Sequence, residues 1–173
     1  MSEVLKAIER RGSTRSYTAE KLTPAELDAL ITAGLQAPTA TNRQELHFTV
    51  LPGDAPILFD IQEAMGGRAR PTMNFWYDAP TVIVISGERD FRWTAVDAGI
   101  AVENIALAAE SLGLGSVILG CLKAAMDGDA TGNFAKTLHF PEGYTFQIAV
   151  AVGHKAADKE PHTYDRDKQV TVL

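Results

Sequence analysis

Trp93-Thr94-Ala95-Val96-Asp97-Ala98-Gly99-Ile100-Ala101-Val102-Glu103-Asn104-Ile105-Ala106-Leu107-Ala108-Ala109-Glu110-Ser111-Leu112 is the stretch that decides the architecture. Its apolar residues surround a helical axis instead of forming one stripe, the pattern of a helix buried on all sides. A chain of 173 residues has little material to cover such a helix completely, so part of the covering is expected from a second subunit. The small residues along it also permit close approach of another helix, a packing rule best known from membranes.

Outward from this helix, Gly113-Leu114-Gly115 ends it and leads into a short strand over 116–119. On the other side, Thr81-Val82-Ile83-Val84-Ile85-Ser86 is β-branched almost throughout, as in a central strand covered on both faces. Residues 46–51 read as a second strand closed by Pro52-Gly53-Asp54, and 145–152 as a strong third. Helices are expected over 3–10, with Val4, Leu5 and Ile8 on one face, over 56–65, and briefly near 133–138. Another opens at Thr23, where Pro24 suits the first turn and Glu26 stands at capping-box spacing; Leu27, Leu30, Ile31 and Leu35 carry its stripe until Pro38. A flexible basic stretch is expected from Gly66-Gly67 through Arg70-Pro71, and a polar loop before 133. The tail is polar from His154 but ends in Val170-Thr171-Val172-Leu173, which reads as an extended strand pairing with something distant, another chain included. These features describe a single α+β domain over 1–173, with helices around a small mixed sheet.

Composition bounds the chemistry. With 46% hydrophobic and 22% charged residues the chain has the make-up of a soluble globular protein. A net charge of −6 disfavours nucleic acid and acidic membranes. Any anion must therefore be held by a local basic cluster. One cysteine, Cys121, allows no intramolecular disulfide and reads as an inert core thiol. The opening residues have no apolar h-region, and no stretch is long enough to span a bilayer, so a cytoplasmic location is the default expectation.

Three constellations merit attention. Arg10-Arg11-Gly12-Ser13-Thr14-Arg15 places three guanidiniums, two hydroxyls and a glycine at a helix end. That set suits a phosphate, because Arg offers bidentate, permanently charged donors and Gly lets the backbone approach. It equally suits the dipole at the end of the first helix. Ala37-Pro38-Thr39-Ala40-Thr41-Asn42-Arg43-Gln44 is dense in small donors and acceptors that can read a heteroaromatic edge; the residues alone favour the plainer reading, that they satisfy the loop's own backbone. Gly113 to Gly120 matches no Rossmann or phosphate-loop pattern, and its glycines serve either a flat ligand or a helix cap. The four histidines show no metal-ligand spacing, no Ser/His/Asp arrangement is visible, and Asp97 and Glu103 read as structural.

Taken in order, these segments resemble the nitroreductase family. Its pattern of Arg, any residue, Ser, any residue, basic, any residue, aromatic matches Arg11, Ser13, Arg15 and Tyr17. Its Ala-Pro-Ser/Thr followed by Asn-x-Gln matches Ala37-Pro38-Thr39 and Asn42-Arg43-Gln44. Asp78-Ala79-Pro80 matches the segment that leads into a central strand, and Val96-Asp97-Ala98-Gly99 through Gly113-Leu114-Gly115-Ser116 matches the long helix and its end. Arg166 matches a basic residue near the C-terminus.

The resemblance implies a mainly antiparallel sheet, a C-terminal arm exchanged in a homodimer, and FMN at the seam between subunits. Arg11, Gly12, Ser13 and Arg15 of one subunit would bind phosphate, ribityl and the pyrimidine side, with Arg166 adding a cation at the phosphate. Pro38, Thr39, Ala40 and Asn42 of the other would pack against the ring. Backbone N–H groups around Leu119 and Gly120 would face flavin N5, and Asn74 the pyrimidine edge. The implied activity is ping-pong transfer of hydride from NADH or NADPH through N5 to nitroaromatics, quinones or similar acceptors, with no catalytic side chain and no metal. Arg15 near N1 and the C2 carbonyl would favour the anionic reduced flavin. Alternatives on the same scaffold are a reductive dehalogenase, a flavin-consuming enzyme, or a flavin-binding protein without turnover; a structural dimer with no cofactor would be colourless.

Three departures from the family pattern stand out. Glu45-Leu46 replaces the usual Pro-Trp and is expected to loosen the loop, Gly12 replaces a larger residue, and 52–80 is short, which predicts an open site with little lid.

Overall fold

A computed structural model describes residues 2–66 and 73–173. The basic stretch expected through Arg70-Pro71 lies mostly outside these residues, at 67–72. Chain order is α1 (Glu3–Arg10), α2 (Pro24–Leu35), a 3₁₀ turn (Ala40–Asn42), β1 (Leu46–Pro52), α3 (Pro56–Ala64), β2 (Thr81–Glu88), α4 (Thr94–Ser111), β3 (Leu114–Leu119), α5 (Lys123–Gly128), α6 (Asn133–Thr137), β4 (Tyr144–His154) and α7 (Arg166–Gln169). Among the described residues no helix is long and apolar enough to cross a membrane.

Local chemistry sets the boundaries. Thr23 caps α2 through the full reciprocal box: its hydroxyl accepts the Glu26 N–H at 3.2 Å, while the Glu26 carboxylate accepts the Thr23 N–H at 2.7 Å. The helix ends at Leu35, ahead of Pro38. At the other end of the molecule's longest helix, Gly113 takes φ +77°, which ends α4 as the sequence suggested.

The sheet runs β1-β2-β4-β3 with every neighbouring pair antiparallel. The expected mixed character survives among the described residues only as an isolated parallel bridge, Ser13 to Ser116. β2 is central and buried on both faces, as its β-branched run predicts. Val82 and Val84 point into one core with Ala149 and Ala151 of β4, covered by α3, α5 and the aromatic pair Phe75 and Trp76. Ile83 and Ile85 point into the other with Val150 and Val152, covered by α2 and α4. Alternation along a strand thus builds two cores from one ladder.

Three expectations need correction. β3 begins at Leu114, so Gly115 is a strand residue and not part of a loop; a Cβ there would sit 2.5 Å from the Thr14 hydroxyl. The supposed polar loop after β3 contains α5, whose Ala125 packs in the first core. The tail forms the short α7, and Val170–Leu173 joins no ladder among the described residues: Val172 and Leu173 are fully exposed. As the sequence suggests, α4 is not covered all round within one chain. Ala98, Ala101, Val102, Ile105 and Ala109 are buried, whereas Val96, Ile100 and Leu112 are open, alongside Val4, Leu5 and Ile8 of α1.

Candidate functional site

After α1 the chain leaves in extended form and crosses the end of the sheet. The Thr14 N–H donates to the Ser116 carbonyl at 2.8 Å, Thr18 N–H to the His154 carbonyl at 3.0 Å, and Ala156 N–H to the Ser16 carbonyl at 3.1 Å. Thr14 is buried in the notch left by Gly115. Tyr17 is fixed beneath, its hydroxyl donating toward the Thr14 carbonyl at 3.0 Å, and burial pushes its pKa well above that of free tyrosine. The crossing therefore holds Arg15 in one place.

That place is the rim of a cleft of about 340 Å³, lined by Arg15, Met65, Met73, Asn74, Phe75, Tyr77, Val117, Ile118, Leu119, Gly120 and Cys121. The guanidinium stands 5.8 Å from the centroid of the Tyr77 ring and forms no ion pair among the described residues. Apolar atoms from β3, Phe75 and the methionines face it, a polar-on-apolar combination typical of small-molecule sites. Gly120 is exposed, and a Cβ there would come no nearer than 3.8 Å to Ile148, so the lip is open by absence of a side chain. Cys121, expected in the core, is exposed on the same lip, and partial burial pushes its thiol pKa up. That direction disfavours the reactive thiolate.

Asn74 lines the cleft, but its amide is engaged with Asp78: the side-chain oxygen accepts the Asp78 N–H at 2.9 Å and the amide NH₂ donates to the Asp78 carboxylate. Tyr77 and Asp78 both take positive φ, at 57° and 58°. Left-handed backbone at non-glycine residues is uncommon and clusters where a turn is held for a purpose.

Arg11, Gly12 and Ser13 line a second hollow of about 290 Å³ together with Lys159, Glu160 and His162. Arg11 meets Glu103 of α4 at 3.3 Å, and Lys159 packs over Gly12. The basic cluster read as one unit is thus divided by buried Thr14 into two neighbouring places. Lys159 and His162 were not singled out by the sequence, since nothing local marks a tail residue as the neighbour of Gly12. Arg166 opens α7 on the exposed tail and lines neither hollow.

Pro38, Thr39, Ala40 and Asn42 do not line the Arg15 cleft of their own chain. They form a tight, strained turn: Thr41, Asn42 and Gln44 have φ of 57°, 54° and 53°. The Thr39 hydroxyl accepts the Gln44 N–H at 2.9 Å, Gln44 donates to the Asn42 side-chain oxygen at 3.1 Å, and the Ala40 N–H donates to Asp97 of α4 at 3.0 Å. Glu45 is not a loosening charge at the surface: it is 3% exposed, turned inward beside Asp97. Asp97 has the structural part assigned to it, as the acceptor that ties this turn to α4.

The family model described as the nitroreductase family matches residues 8–154. An FMN reductase [NAD(P)H] of Bacillus subtilis is 29% identical over 180 residues, covering 90% of this chain and 67% of its own length. A nitroreductase with bound FMN from Bacteroides fragilis superposes with a TM-score of 0.89 at 27% identity, covering 100% of both chains. Another with bound FMN, from Desulfitobacterium hafniense, gives 0.87 at 32% identity, covering 100% of this chain and 99% of its own. A match that runs from the last turn of α1 to the end of β4, on a fold shared along the whole length, means that this chain belongs to the nitroreductase family.

Proposed function

We propose that the protein is an FMN-dependent oxidoreductase that accepts electrons from NADH or NADPH and passes them to nitroaromatics, quinones or similar acceptors in alternating half-reactions. The observation that carries this reading is Arg15: a guanidinium on an acidic protein, borne by a hydrogen-bonded backbone crossing, with no ion pair among the described residues, at the rim of the cleft beside β3.

The residues fit the group. β3 lends the cleft apolar lining through Val117, Ile118 and Leu119, and Arg15 offers a cation for the electron-rich side of the ring. The hollow around Arg11, Ser13, Lys159 and His162 collects donors suited to a phosphate, although Glu103 and Glu160 share that space. Each charge-assisted bond there contributes on the order of 1.5–3 kcal/mol, enough in combination to retain a cofactor. Bound at this place, FMN supplies the two-electron carriage; the protein supplies position, exclusion of water and electric field. Arg15 stabilises negative charge at the cleft, and the exposed Gly120 lip leaves one side open to a succession of small molecules. No acidic or basic side chain is required at the reacting centre, because solvent can complete protonation.

The turn over Pro38–Asn42 faces away from its own cleft, and the apolar stripe of Val96 and Ile100 with Val4, Leu5 and Ile8 is uncovered. Both features support a homodimer in which each cleft is completed by the partner's turn. Arg166, on the tail beyond β4, would reach the phosphate only across such a seam.

The visible spectrum of the purified protein is the direct test. Flavin absorbance is expected on purification and bleaching on anaerobic addition of NADH or NADPH, with recovery on adding a quinone. A colourless protein that takes up no added FMN would overturn the reading.

A further inference from the structure

Glu45 occupies an unusual position. Both of its carboxyl oxygens are buried, no other residue among those described donates to them, and the group beside them is the carboxyl of Asp97. The nearest cation, Arg43, is committed to Glu88, and its guanidinium lies 4.7 Å from the Phe91 ring centroid. The remaining groups facing Glu45 are Glu88 from β2 and Tyr144 from β4. Among the described residues no cation forms an ion pair with Glu45: Arg43 attracts it only while bound to Glu88, and the one backbone donor near the carboxyl is Glu45's own N–H. Two carboxyl groups in contact without a cation hold together when one of them keeps a proton and donates it to the other. Burial raises the pKa of Glu45; the hydrogen bond from its own N–H opposes this, and contact with Asp97 and the charges of Asp97 and Glu88 carry the balance upward.

The other end of this pair matters. Asp97 accepts the N–H of Ala40, the residue that opens the turn in which Thr41, Asn42 and Gln44 are all left-handed. Strain of this kind persists only where the surroundings enforce it. We propose that Glu45 is a positioning residue: its neutral carboxyl donates to Asp97, which accepts the Ala40 amide, so that one shared proton holds the Thr39–Asn42 turn in its strained shape. On the flavin reading, on which this relevance to function rests, that turn is what packs against the ring in the partner's cleft. The cofactor's hold would then weaken as pH rises, because ionising Glu45 sets two buried negative charges against each other just behind the turn.

The test follows amide hydrogen exchange at Ala40 in the full chain stripped of FMN, corrected for intrinsic rate, from about pH 4, below the ordinary glutamate range, to about pH 8. FMN affinity is measured in parallel by quenching of flavin fluorescence. Wild-type protection at Ala40 is expected to fall about tenfold across that range, while Glu45→Gln, which retains a donor that cannot ionise, stays level. Glu45→Ala should be poorly protected at every pH. Flat wild-type protection, or Glu45→Gln as unprotected as Glu45→Ala, overturns the proposal whatever FMN does. The wild-type series decides the matter even if a variant fails to fold. Absence of flavin quenching alongside the expected exchange pattern overturns the flavin reading instead, and leaves the shared proton standing.

Discussion

The two faces of the sheet are built on different plans. One is closed by its own chain with large side chains: Trp76, Leu58, Leu122 and Leu138 are fully buried, and Phe75 and Phe59 meet Trp76 edge-on at 4.8 and 5.0 Å. The other is closed by α2 and α4, largely through alanines and a few branched residues, and the outer side of α4 is left apolar and open. The cleft borders the first face, through Phe75, Met65, Val117 and Leu119. The strained turn is tied to the second, through Asp97. On the proposed homodimer, a ligand touching both would lie between two copies, and the face left open here would complete its neighbour's cleft.

The sharpest way to break this contrast is to disturb each face separately. Trp76→Ala is expected to destabilise by about 3–5 kcal/mol relative to wild type, by the same amount at every protein concentration; a difference from wild type that changes with dilution would show that the closed face depends on a partner. Ile100→Asp, on the open side of α4, should act on assembly instead. A charge introduced at such a seam without a partner costs roughly 3 kcal/mol or more, so sedimentation should show monomer with the fold retained. A variant that remains dimeric would place the seam elsewhere.

Arg15→Ala tests the cleft side alone. FMN affinity is expected to fall about 10- to 100-fold with stability unchanged, the equivalent of one lost charge-assisted bond, measured by flavin fluorescence. The double change with Arg11→Ala should yield folded protein without flavin, and full occupancy would contradict the assignment.

Two smaller effects refine the comparison. Glu45 has a raised pKa in the folded state, so its contribution is fully present below the ordinary glutamate range and is lost as pH rises through the raised value. Wild type should therefore lose stability relative to Glu45→Gln on going from acid toward neutral pH, and parallel denaturation curves at all pH values would refute this. Thr23→Ala, which removes the cap of α2, should cost about 1 kcal/mol and leave flavin binding untouched.

Much of this was legible in the sequence because it is local. The Thr23 box, the β-branched run of β2 and the extent of α4 depend on residues within one turn or one strand. What escaped depends on distant partners. Gly115 reads as a loop breaker until Thr14 is known to fill its place. Glu45 reads as a surface charge because its neighbour, Asp97, lies on another element. Arg11 and Arg15 read as one cluster because the sequence does not show that the residue between them is driven inward. α5 escaped for a different reason: Lys123–Gly128 is too short for its periodicity to stand out. The tail hid α7 because Arg166–Gln169 is a single turn; Val170–Leu173 has strand-forming residues and pairs with nothing among the described residues of its own chain.

The notch at Gly115 limits how this sequence can drift. With Thr14 filling the space where a Cβ would be, even alanine would force two crossing segments apart. Loss of that single hydrogen atom's worth of room would be read out one residue along, as a misplaced cation. Relatives of this protein could vary widely in what surrounds the cleft and still be bound, at this position, to carry nothing at all.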